Sequence, residues 1–143
     1  MEAGYAAALL FLTAAAICDI RTKSLPVMLL TAGAIMTTAY ELSIIAEGDW
    51  VLYHFMLALL PGILMLILSF ATCGSMGAGD GLAALIAGPM LGAEESCAVI
   101  VVAFFLSAAV AGSLLAVRRA DRCTRIPFMP IMAAAAGMVA ICT

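Results

Sequence analysis

At 143 residues, 66% of them hydrophobic and only 10% charged, the chain has a mean hydropathy of +1.23 and too few polar side chains to cover a water-exposed domain. That balance excludes an ordinary soluble fold and fits an all-α, polytopic bundle of lipid-facing helices, with the bilayer as its solvent. The net charge is −3 and no nucleic acid is expected as a partner, but in a membrane protein the placement of charge matters more than its sum.

Charged residues and Gly/Pro-rich punctuation divide the chain into six apolar segments, at about 3–18, 26–46, 50–72, 81–93, 96–117 and 126–142. The first holds Ala14-Ala15-Ala16, which resembles a cleavage site, but Glu2 stands where a signal peptide carries positive charge, so an uncleaved helix is expected. The third opens on Trp50 and Tyr53, an interfacial anchor, and holds His54, which has no partner at helical spacing. The fourth is short and contains Gly88-Pro89, which predicts a tilted, broken or partly inserted helix. The last begins with Pro127 and Pro130, expected to bend it near its start and to shape a substrate groove. Five isolated cysteines and no nearby His make zinc or disulfides improbable, and no metal or cofactor is expected. With no linker or repeat, residues 1–143 read as one membrane-embedded domain.

All of the cations lie in two connections: Arg21 and Lys23 after the first segment, and Arg118, Arg119, Arg122 and Arg125 after the fifth. Six spans put both connections on one side, which the positive-inside rule makes cytoplasmic, so both termini fall outside. The acids at Glu2, Glu47, Asp49, Glu94 and Glu95 then lie opposite. The expected location is the cytoplasmic (inner) membrane, as a multi-pass protein.

Three acids fall on the cytoplasmic side. Asp121 sits among arginines and reads as a solvated, charge-balancing residue. Asp19 and Asp80 stand at membrane borders, with two intervening spans that carry the chain out and back, so both carboxylates reach one depth. A carboxylate near hydrocarbon is costly and usually faces a bundle interior or a wet cavity. Two that meet relieve the cost by sharing a proton, and an ionised acid beside a protonated one is the pair that hydrolyses peptide bonds with water. Asp80 lies in GSMGAGDGLAAL, residues 74–85, where Gly77, Gly79 and Gly81 allow positive φ and the close passage of an extended substrate. The plainer alternative is a flexible turn with Asp80 as a helix N-cap.

Gly77-Ala78-Gly79-Asp80 matches the GxGD motif of intramembrane-type aspartyl proteases. CDIRTKSLP, residues 18–26, resembles the first-aspartate segment of the type IV prepilin peptidases, and RIPFMPIMAAAAG, residues 125–137, is similar to that family's final segment. The resemblance implies that Asp19 and Asp80 are catalytic. It also implies that the substrate is a prepilin-like single-span membrane protein whose short basic leader is cut, usually after a glycine, at the cytoplasmic face. The chain lacks the paired-CxxC loop of bifunctional members and looks like the short, peptidase-only form similar to those of tight-adherence pilus systems. It departs from the common pattern at Val27, where many members have Asn, and at Gly81-Leu82, where many have a hydrophobic residue and Lys. Alternatives are a small proton- or cation-coupled transporter using the same two acids, or a catalytically inactive assembly subunit.

Overall fold

The computed structural model describes residues 2–22, 25–48, 52–71, 77–116 and 128–142. These form only helices: α1 (Glu2–Thr22), α2 (Val27–Glu47), α3 (Leu52–Ala71), α4 (Ala78–Leu91), α5 (Ala93–Ala116) and α6 (Met129–Cys142). α1, α2, α3 and α5 are long and apolar enough to cross a bilayer, and the whole is a helical membrane bundle. Large side chains such as Met28, Phe105 and Ile141 face outward, where lipid makes exposure costless. The interior combines Leu12, Met65, Val99, Met129 and Met132 with many alanines, the small-residue packing that lets helix backbones approach in lipid.

The helices alternate in direction. Gly4, near the start of α1, lies against the Tyr40 ring of α2 and the Met90 carbonyl at the end of α4, while Phe11, two turns along α1, covers Gly33 of α2. The Tyr5 hydroxyl donates to the Ala136 carbonyl of α6 at 2.8 Å. These contacts gather the start of α1 and the ends of α2 and α4 at one end of the bundle. The end of α1 and the start of α4 are left at the other.

α4 is the centre. It packs on α3 most extensively and also on α2, α1 and α5. Its 14 residues extend about 21 Å, short of a roughly 30 Å hydrocarbon layer, so its ends reach across the bilayer only with shelter from its neighbours. Gly88-Pro89 does not break it. The helix continues to Leu91 and stops at Gly92, whose φ of 98° suits only glycine. Gly88 serves packing instead: a Cβ there would strike the Ala58 carbonyl of α3, and one on Gly62 would stand 2.5 Å from the Leu85 Cα. From α2, the buried Thr37 hydroxyl reaches the Ile86 carbonyl at 2.8 Å, with the Gly33 carbonyl of its own helix at 3.1 Å.

Candidate active site

α1 runs past the border expected for it and carries Asp19 inside its last turn, a residue only 8% exposed. Its Oδ2 is buried with no hydrogen-bond partner among the described residues. Such an oxygen is expensive in a low-dielectric interior unless it holds a proton, a water or a ligand. Asp80, half-buried, is in the first turn of α4, where the unpaired amides of a helix start favour an anion.

The two carboxyls are near enough for the Asp19 charge to act on Asp80. Helical geometry explains the meeting. Asp19 lies fifteen residues beyond Gly4, about 22 Å along α1, whereas Asp80 lies ten residues before Met90, about 15 Å along α4. Side chains lean toward the start of their own helix, so on antiparallel helices these two lean toward each other and close the difference.

Gly77 is the N-cap of α4, with φ −65° and ψ 126°, and the Asp80 amide donates to its carbonyl at 3.0 Å. Asp80 is therefore the third residue of the helix, not its cap. The expectation of positive φ in this segment is also corrected: among the described residues only Gly48 and Gly92 adopt it. Glycine is required here by proximity. A Cβ on Gly77 would lie 3.2 Å from the Asp80 Oδ2, so the missing side chain leaves that oxygen open. One on Gly79 would lie 3.2 Å from Leu25 Cδ1, in the segment leading into α2. Gly81 is buried against α3, where a Cβ would press on the Leu66 side chain at 2.9 Å and its backbone nitrogen at 3.0 Å. Gly77 is thus exposed beside the acid, whereas Gly81 faces into protein and has no surface for a substrate.

Pro130 occupies the first turn of α6, where no intrahelical bond needs its missing N–H, so it starts the helix instead of bending it. Pro127, Asp121 and the arginines at 118–125 lie outside the described residues. Leu25, Leu66 and Thr37 support the site without having been picked out by sequence; of the three only Thr37, a hydroxyl within an apolar helix, carried a signal for it. Among the described residues no three His, Cys, Asp or Glu side chains converge to hold a metal ion.

Residues 6–117, most of the chain and both acids, match the family model of the type IV leader peptidase family. The chain belongs to that family. It is accordingly a membrane protein of a leader-peptidase kind, in a family whose peptidases are of the aspartic type. Among curated proteins and among solved structures, none matches it. Both Asp19 and Asp80 fall within the matched residues, and they come from different helices, α1 and α4, with the Asp19 charge acting on Asp80.

Proposed function

We propose that this leader peptidase is a membrane aspartyl endopeptidase that removes the leader from prepilin-like single-span substrates at the cytoplasmic face of the inner membrane, with Asp19 and Asp80 as its catalytic pair. The observation that carries the reading is the approach of a buried, unpartnered Asp19 to a half-buried Asp80 beside a glycine that leaves it open. In the proposed reaction the ionised acid takes a proton from water as the oxygen attacks the scissile carbonyl, while the protonated acid donates to the carbonyl oxygen. The tetrahedral diol then collapses: the C–N bond breaks, the amine leaves with a proton from the first acid, and the carboxylic acid product departs. One water is consumed and the dyad regains its single proton. The orientation rests on the basic connections around Arg21, Lys23 and residues 118–125.

The test is co-expression with an epitope-tagged prepilin that carries a short basic leader and a glycine before the cut. The unsubstituted protein should shorten the prepilin by the mass of its leader on a gel, and persistence of the full-length band would overturn the reading. Proton or cation flux through proteoliposomes, abolished by the same aspartate substitutions while no cleavage occurs, would favour the transporter alternative.

A further inference from the structure

We infer, with the prepilin-peptidase reading as premise, that the uncapped backbone amides of Ala78 and Gly79 at the start of α4 hold the scissile carbonyl oxygen of the substrate and stabilise the charge that develops on it. The first-turn amides of a helix have no acceptor within it. A Ser, Thr, Asp or Asn at the N-cap would supply one, but the N-cap of α4 is Gly77 and no side chain caps the helix. The Asp80 amide turns back to the Gly77 carbonyl, whereas the Ala78 and Gly79 amides have no acceptor among the described residues. They are also within reach of a substrate. Gly77 and Ala78 are exposed, and Gly79 is half-buried with Leu25 against one flank.

A second observation puts a ligand at this helix end. Leu12 of α1 meets Ala84 and Ala87 of α4 around one small cavity. Asp19 lies seven residues, about two turns, beyond Leu12, and Asp80 lies seven residues before Ala87, so both acids continue the stripes on which the two helices face each other. The buried Asp19 Oδ2, without a partner among the described residues, is thereby directed at the first turn of α4, and the Asp19 charge acts on Asp80. The Ala78 side chain lies on the opposite side of α4 from Asp80, but its N–H does not follow it. First-turn amides point along the axis and out of the helix end, inside the Cα radius of about 2.3 Å. Asp80 Oδ2 folds back to that same end, 3.2 Å from where a Gly77 Cβ would stand. An oxygen held by the amides is therefore beside the acid pair.

The chemistry selects a peptide carbonyl. An anion such as phosphate would meet two acids here, whereas a neutral carbonyl is not repelled. In the proposed hydrolysis the carbonyl oxygen gains an electron pair as water attacks and takes its proton from the protonated acid. The amides transfer no proton. They donate hydrogen bonds to the same oxygen, and these strengthen as charge builds on it. Because the helix fixes the donors beforehand, at a border where water is scarce, they act without reorganisation and more strongly than in bulk water.

Removing one amide tests the assignment. Ala78 is the first residue of α4, where proline is favoured, and Gly77, at φ −65° and ψ 126°, already has the extended conformation that a residue before proline adopts. Ala78→Pro therefore deletes the N–H and leaves the helix start intact. In detergent its kcat for the tagged prepilin should fall about 100-fold across the pH range, with KM within about twofold and the melting temperature unchanged. Ala78→Ser keeps the amide and should cleave normally. Lactic acid in place of Ala78, which exchanges the N–H for an ester oxygen, should lower kcat in the same way, and it decides the outcome if Ala78→Pro does not fold. Normal cleavage by a folded variant without the amide would overturn the inference. So would a change confined to KM, or a pH profile displaced with its maximum kept, since the amides would then act only on binding or on Asp80. The failures separate cleanly. If the unsubstituted protein leaves the prepilin uncut, the peptidase reading falls and this inference with it, whereas equal cutting with and without the Ala78 amide removes the amide site alone.

Discussion

Asp19 and Asp80 carry the chemistry proposed here, and each should be indispensable for a reason that a neutral isostere isolates. Asn preserves shape and hydrogen bonding but cannot take a proton from water. Asp19→Asn and Asp80→Asn should each lower prepilin cleavage by roughly 100- to 10,000-fold while leaving membrane insertion intact, and Asp121→Asn should be nearly silent in the same gel assay. Full activity in either dyad variant would remove the aspartyl mechanism. Gly77 and Gly81 should separate by their surroundings. Gly77→Val crowds the Asp80 Oδ2 at an exposed position, so it should abolish cleavage in a protein that still melts normally. Gly81→Val drives a side chain into the α3 backbone and should instead lower stability by about 1–3 kcal/mol, read as a lower melting temperature in detergent. Both acids were legible in the sequence because a carboxylate at a membrane border is costly enough to need a reason. The glycine roles were not, because what a Cβ would strike depends on Leu25, Leu66 and Asp80, which only the fold brings to it.

At the scale of elements, the short fourth helix is the part of the fold that the site depends on most. Its length was readable, since apolar residues run out near Gly92, but the effect of Gly88-Pro89 was not. Proline removes a hydrogen bond to the preceding turn, which argues for a break, whereas the close approach of α3 keeps the helix straight enough to pack. Thr37 ties α2 to α4 through the Ile86 carbonyl, one of the few side-chain hydrogen bonds described between helices. Thr37→Val should cost about 0.6–2 kcal/mol and Thr37→Ser much less, measured by thermal unfolding in detergent. If valine proved as stable as threonine, packing alone would hold α2 in place.

For the whole molecule, the proposed orientation puts the acids and both basic connections inside the cell, and cysteines report on it. A membrane-impermeant thiol reagent applied to cells with a permeabilised outer envelope should label Cys97, exposed near the start of α5, and spare Cys73 and Cys123; a reporter fused after Thr143 should be active only outside. A reporter active in the cytoplasm would invert the bundle and put the acids on the wrong side for prepilin leaders. What the sequence alone determined was the membrane class, the division into six segments, the clustering of basic charge in two connections and the candidate pair at Asp19 and Asp80. Hydropathy, proline and charge act locally along the chain, and the high cost of burying charge makes their pattern one-dimensional and readable. Only the tertiary structure decided that Asp19 lies buried within α1, that Gly81 belongs to the α3 contact, and that α2 and α3 both pack on α4. Those facts depend on how far apart and at what angle helices distant in sequence come to rest. In lipid, that is settled by the packing of small side chains across whole interfaces and not by any residue's own preference.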